Sequence, residues 1–362
     1  MSSFFGQQLR LSLFGQSHGE AIGISMDGFP AGMDIDMEAL RAEMARRAPG
    51  NSALTTPRKE ADEPEFLSGV MKGRTTGQPI CAIIRNTNTR SKDYGAGVDF
   101  ARPGHADYTG HVRYFGFEDW RGGGHFSGRL TAPIVLAGAL CRQYLAMQRV
   151  TICAHIQQLE NLQDKSFLDG TDVDAAALHR MTLPVLTPGL DKEMETAILA
   201  AKEEGDSVGG VIECMAAGLP AGLGAPFFDS VESVLSHLLF SVPAVKGVSF
   251  GEGFHFAALR GSVANDSFRM ADGQVVTETN RCGGVLGGIT DGMPLIFRCC
   301  VRATPSIAKE QQTVSLARGE NTSLAIRGRH DPCILPRAVP VIEAMAAIGL
   351  MELWKERASC LK

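Results

Sequence analysis

Residues 121–155 read RGGGHFSGRLTAPIVLAGALCRQYLAMQRVTICAH: a glycine run, an apolar helical stretch and a β-branched strand in immediate succession. Ala132 to Gln148 has helical length and is apolar almost all round, so a mostly buried helix is expected there. Arg142 interrupts it, and no uncharged span long enough to cross a membrane is expected anywhere in the chain. Val150 to His155 then reads as a strand. Further strands are expected at Pro79 to Arg85, Val211 to Met215 and Pro294 to Val301. Further helices are expected at Met37 to Arg47, Lys192 to Glu204, Val231 to Phe240 and Arg337 to Glu356, the last with Pro340 in its first turn. Helices and strands mix without a strict βαβ rhythm, no linker divides the chain and no repeat recurs. The expectation is an α+β fold forming a single large domain over residues 1–362.

The composition narrows the chemistry. The chain has 362 residues with 35 Lys+Arg and 40 Asp+Glu, a net charge of −5 that gives no global attraction to nucleic acid or to an anionic membrane. Glycine is in excess, 41 residues, against a usual share of roughly 7%. Nine cysteines without a CxxC pair read as reduced thiols of a cytoplasmic protein, and the N-terminus lacks the pattern of a signal peptide. GxxxxGK[ST], a strand-linked GxGxxG, HExxH and GxSxG are all missing, which argues against nucleotide kinases, dinucleotide Rossmann enzymes and zincins.

Five polar clusters remain. Phe14-Gly-Gln-Ser-His-Gly19 puts His18 on a glycine-flanked loop, either as a proton carrier or as a histidine in a turn. Arg102-Pro-Gly-His-Ala-Asp107 offers an anion clamp, a titratable ring and a carboxylate, or a surface salt-bridged turn. The run from Arg121 to Arg129 offers successive backbone N–H groups and two guanidinium groups, the makings of an anion nest. Arg46, Arg47, Arg58, Lys59, Lys72 and Arg74 form a basic stretch in a net-acidic chain, pointing to an anionic small ligand or to a solvated charged face. Arg327 to Arg337 places Asp331 before a proline, which holds the carboxylate in extended backbone. The histidines lack metal-ligand spacing, so no metal is expected.

In their order and spacing these clusters resemble the chorismate synthase family, through FGQSHG, RPGHADYTG, RGGGHFSGRLTAP, GDSVGGVIE, GGVLGGITDG, RATPSI and GRHDPCILPRAVPVIEAM. The resemblance implies a β-α-β sandwich and a lyase of the shikimate pathway and aromatic amino acid biosynthesis. Such an enzyme removes phosphate from 5-enolpyruvylshikimate 3-phosphate by anti-1,4-elimination, giving chorismate, and requires reduced FMN without net redox change. It also implies a cytoplasmic homotetramer, NADPH as a candidate reductant and a separate flavin reductase as a candidate partner. Catalytic positions implied are His18, which matches a histidine beside the flavin, His105 near the leaving phosphate, and Asp331, thought to act on flavin N5. Flavin positions implied are His125, Phe126, Ser127, Pro243, Ala244, Gly287, Arg302, Ala303, Thr304, Pro305, Ser306 and Arg329, while Arg47 matches an NADP position. Arg46, Arg121, Arg129 and Arg337 are matched to the substrate anions. The sequence departs from the common pattern at residues 125–131, at Gln16 and at Ala53. A catalytically inactive flavin- or anion-binding homologue and a metal-dependent phosphatase are the rival readings.

Overall fold

The computed structural model describes residues 3–50, 54, 60, 62–87, 99–170, 173–326 and 331–360. The expected sites at Ala53, Arg58, Lys59 and Arg327 to His330, Arg329 included, lie outside the described residues.

The first sheet is built from β1 (Phe4–Phe5), β2 (Arg10–Gly15), β3 (Ala21–Asp27), β4 (Pro64–Ser68) and β5 (Ile80–Arg85), in the spatial order β1-β2-β3-β5-β4. Every pairing in it is antiparallel, and the register sets Leu11 opposite Met26 and Ile22 opposite Ile84. Sequence reading found only β5 here. β3, AIGISMD, is the central strand, and its small residues mask the alternation that marks a half-exposed strand.

Between the sheets run α1 (Met37–Arg47), α3 (Thr131–Met147) and α7 (Leu335–Cys360); a short α2 (Asp107–Arg113) lies outside this layer. Asp36 caps α1, its carboxylate accepting from Ala39 N, and Arg46 and Arg47 close the helix where its dipole favours cations. α3 packs on β3 and β5 to one side and on α7 to the other. At the crossing a Cβ on Gly138 would lie 2.3 Å from Ala344 Cβ, so glycine sets how closely the two axes approach. The stretch from Arg121 to Met147 is long and apolar enough to span a membrane by composition, but residues 121–130 are 3₁₀ turns and α3 is buried by protein. α7 begins at Leu335, two residues earlier than expected. Pro340 therefore sits in its second turn, where its missing N–H leaves one helical hydrogen bond unmade.

The second sheet is β6 (Thr151–Leu159), β7 (Leu162–Gln163), β8 (Gly210–Ala217), β9 (Val245–Phe250) and β10 (Leu295–Val301), in the order β9-β10-β8-β6-β7. α4 (Ala175–Arg180) and α5 (Leu190–Glu203) lie between β7 and β8 in the chain, and α6 (Val231–Ser241) packs on α7 and β9. The buried apolar cluster runs from Leu9 through α3 and α7 to the second sheet, so the layers are sheet, helices, sheet. That is the β-α-β sandwich the resemblance implied.

Candidate active site

A cavity of about 670 Å³ opens where the ends of α1, α3 and α7 meet the loops at 102–107, 118–129, 240–246 and 302–305. Its size is that of a small-molecule site, for which roughly 300–1,000 Å³ is typical. Arg47, Arg102, Arg129, Arg302 and Arg337 line it, together with Glu60, Asp107, Glu118, Asp119 and Asp331.

The arginine end is built around Asp62. This buried carboxylate, on backbone with φ +50°, receives Nη1 of Arg47 on one oxygen and Nη1 of Arg129 on the other. Arg47 Nε donates to Thr131 Oγ1 at 3.1 Å and its Nη2 to Gly128 O at 3.3 Å. Arg129 Nε donates to Asn86 Oδ1 at 3.1 Å and pairs with Glu60 at 3.3 Å. Arg337 Nε holds the carbonyl of Arg47 at 3.1 Å, while its Nη1 donates to Asp331 Oδ2 at 2.7 Å. Burial pushes the Arg47 pKa down to about 10. Asp62 opposes that shift and the charges of Arg337 and Arg129 add to it, so the guanidinium stays protonated at neutral pH.

His105 lines the same cavity. Arg102 Nε and Nη2 grip Asp107 at 2.7 Å each, and Arg302 Nη1 donates to Gly104 O at 3.2 Å. Burial would raise the Asp107 pKa, but the Arg102 hydrogen bonds and charge bring it below the ordinary carboxylate value. Gly122 and Gly123 of the glycine run line the cavity as well. Gly122, Gly123 and Gly124 all take left-handed backbone, φ +61°, +84° and +53°, and a Cβ on Gly122 would lie 2.0 Å from His18 Cε1. Only glycine lets the imidazole of His18 lie against this wall. Ser17 N donates to Gly124 O at 3.1 Å, and Ser17 Oγ lies 3.2 Å from His18 Nδ1. The run thus serves close approach; the helix start that an anion nest would use comes later, at Thr131.

Of the expected site residues, His105, Asp331, His125, Phe126, Ser127, Pro243, Ala244, Arg302, Thr304, Pro305, Arg47, Arg129 and Arg337 line the cavity. His18 sits directly behind Gly122. His125 Nδ1 donates to Gly15 O at 3.0 Å, which leaves Nε2 to meet Ser3 Oγ at 2.9 Å. Ala303 lies between lining residues and Ser306 just after them, with Ser306 Oγ 2.5 Å from His105 Nε2. Three expected positions lie elsewhere. Arg46 follows α1 round to its far side and pairs with Glu43 at 2.9 Å and the buried Glu343 at 2.5 Å. Arg121 is spent on Asp119 through two contacts of 2.8 Å on an exposed rim. Gly287 turns the hairpin Val285–Thr290. Arg74, from the basic stretch, is an exposed partner of Asp34. Sequence reading did not single out Glu60, Asp62 or Glu118; the usable signal was an acidic pair placed just after a basic run.

Three lining residues each carry a buried polar atom without a hydrogen bond among the described residues: Arg129 Nη2, Thr304 Oγ1 and Glu118 Oε2. Orphaned donors and acceptors on residues that line one cavity suit a polar ligand that completes them. No group of three His, Cys, Asp or Glu side chains among the described residues is placed to hold a metal ion.

A family model described as chorismate synthase matches residues 9–354. The chain belongs to the chorismate synthase family. It is 45% identical over 353 residues to the chorismate synthase of Dehalococcoides mccartyi strain BAV1, covering 98% of this chain and 96% of that one. It is 44% identical over 348 residues to the chorismate synthase of Thermococcus kodakarensis, covering 96% of each. A solved structure titled "Crystal Structure of Chorismate Synthase" superposes with a TM-score of 0.77 at 28% identity, covering 98% of this chain and 93% of that one. The chorismate synthase relatives extend across both sheets and the helical layer, so membership rests on the whole architecture as well as on the motifs at the cavity.

Proposed function

We propose that this protein is the lyase that converts 5-enolpyruvylshikimate 3-phosphate to chorismate, with reduced FMN bound in the same cavity. The observation that carries the reading is the convergence of five arginines on one cavity in a net-acidic chain of this family. The substrate is a phosphate ester with two carboxylates, and charge-assisted donors at fixed positions recognise such groups. In the elimination the C–O bond to phosphate breaks, a ring proton leaves and a second ring double bond forms.

Arg129 and Arg337 hold the anionic groups, and preorganised positive charge favours the departing phosphate. His105, which lines the same cavity, stabilises the leaving group. Asp331, held by Arg337, presents a carboxylate as proton acceptor. His18, packed behind Gly122, keeps a titratable ring beside the reacting centre. Phe126, Ser127, His125, Pro243, Ala244, Arg302, Thr304 and Pro305 would hold FMN, and the orphaned hydroxyl of Thr304 fits a polar ligand. Reduced FMN, when bound there, would supply transient one-electron chemistry with no net redox change.

NADPH as reductant, or else a separate flavin reductase, is part of the same reading, although Arg47 is committed to Thr131, Asp62 and Gly128. So are a cytoplasmic location and a homotetramer; Phe227, Phe228 and Phe254, each at least nine-tenths exposed, suit burial between subunits. The test is anaerobic phosphate release from 5-enolpyruvylshikimate 3-phosphate with reduced FMN, against oxidised FMN and no flavin. Turnover with reduced flavin alone is expected. Phosphate release that ignores flavin, or tight FMN binding without release, would overturn the reading.

A further inference from the structure

One carboxylate joins two of the cavity's arginines without lining the cavity itself. Asp62 stands two residues before β4, and its side chain is fully enclosed. One oxygen accepts from Nη1 of Arg47 and the other from Nη1 of Arg129. Its φ of +50° is left-handed backbone, which a residue other than glycine keeps only where its surroundings hold it there.

The two guanidinium groups are held differently. Arg47 closes α1 and has all three nitrogens engaged: Nε on Thr131 Oγ1, Nη1 on Asp62 and Nη2 on Gly128 O. Arg337 Nε holds its backbone carbonyl at 3.1 Å. Arg47 is therefore tied to the start of α3 and to the first turn of α7. Arg129 has Nε on Asn86 and beside Glu60, and Nη1 on Asp62. Its Nη2 has no hydrogen bond among the described residues. We propose that Asp62 is a positioning residue of the substrate site: it braces Arg129 against the fixed Arg47, so that substrate affinity depends on a carboxylate outside the cavity lining. Ordering a long side chain at the moment of binding costs affinity. A carboxylate that takes one nitrogen of each guanidinium removes that freedom beforehand and offsets the repulsion between two neighbouring cations. The brace needs charge as well as shape. An amide in its place has one acceptor oxygen, and its N–H groups would face a guanidinium that has only donors. The inference rests on the reading of Arg129 as a substrate-binding residue.

The test is a double-mutant cycle on the full-length protein with Asp62→Asn, Arg129→Ala and the two combined. Asparagine keeps the volume of aspartate and also tolerates left-handed backbone. KM and kcat for phosphate release from 5-enolpyruvylshikimate 3-phosphate are measured with reduced FMN, and FMN affinity is read by fluorescence on the same samples. Asp62→Asn is expected to lower kcat/KM by about 10²-fold, most of it through KM. FMN affinity is expected to fall by less than about threefold. In the Arg129→Ala background the same change is expected to cost less than about threefold in kcat/KM, because the group it positions is gone. Unchanged KM in a folded Asp62→Asn variant, beside a raised KM in Arg129→Ala, overturns the proposal alone. An equal loss of FMN affinity, which marks a general loosening of the cavity, also overturns it, as does a full further loss in the Arg129→Ala background. Where Asp62→Asn does not fold, the cycle is run with Thr131→Val, which removes the acceptor of Arg47 Nε and leaves each ion pair in place. Additivity with Arg129→Ala then overturns the proposal. Unchanged KM in Arg129→Ala would instead overturn the reading on which it rests.

Discussion

At the scale of single residues, the site depends on side chains meeting backbone at distances that only glycine permits. His18 reaches the cavity wall because position 122 has no Cβ, and the left-handed φ of +61° there is disfavoured for any other residue. Gly122→Ala is expected to displace the imidazole and lower kcat by about 10²-fold, with a stability loss of about 1–2 kcal/mol from the left-handed backbone. Full turnover in a variant whose fold is intact would remove His18 from the reacting centre. His18→Ala and Asp331→Ala are each expected to lower turnover by roughly 10–10⁴-fold. His111→Ala serves as the control: its ring is exposed and meets Glu118 at 3.1 Å, so steady-state rates should stay near those of the parent. A severe loss in that control would reopen the question of what the histidines do.

The elements show how neighbours in sequence are sent to different tasks. Arg46 and Arg47 end the same helix, but successive residues point about 100° apart, so Arg47 faces the cavity and Arg46 the buried Glu343. A basic pair in the sequence therefore reads as one feature and acts as two. α3 and α7 cross with Gly138 against Ala344. Gly138→Val is expected to destabilise the protein by about 1–3 kcal/mol through overpacking, measured by urea unfolding. Gly261→Ala, where a Cβ would meet nothing within 4 Å, should be close to neutral. Equal stability of the two variants would mean that the layer can yield at Gly138.

At the scale of the whole molecule, two buried ion clusters pin the second sheet to its surroundings. Glu343, in the middle of α7, accepts from Ala154 N at 2.9 Å and meets Arg46, Arg142 and His179. Burial would raise its pKa, yet the charges of Arg46 and Arg142 pull it well below the usual carboxylate range. His155 lies between Asp164 and Glu213 at 3.1 and 3.0 Å. Burial alone would lower its pKa, but the two carboxylates raise it, and hydrogen bonds from the same ring help to keep Asp164 and Glu213 low. The signs set the pH window. A raised histidine contributes fully below about pH 6.5 and loses that contribution as pH rises through its folded pKa. Lowered carboxylates contribute above about pH 4 and lose it as pH falls through their folded values. The difference in thermal midpoint between the parent and His155→Gln should therefore narrow from mildly acidic to alkaline pH. A difference independent of pH would mean that the imidazole is neutral in the fold.

The apolar helix at the centre, four strands and the chemistry-bearing clusters are legible along the chain, because apolar periodicity and glycine-flanked polar motifs are local signals. The sequence also carried the family, since those motifs keep their order along the chain. It hid β3, whose small side chains give little alternation, and it placed Pro340 a turn too early. Tertiary structure alone decided which arginines share the cavity, that Asp62 holds two of them together, and that His155 is enclosed between two carboxylates. These are contacts between residues far apart in the chain or turned apart on one helix. Only the packing of the two sheets against α1, α3 and α7 brings such groups within reach of each other.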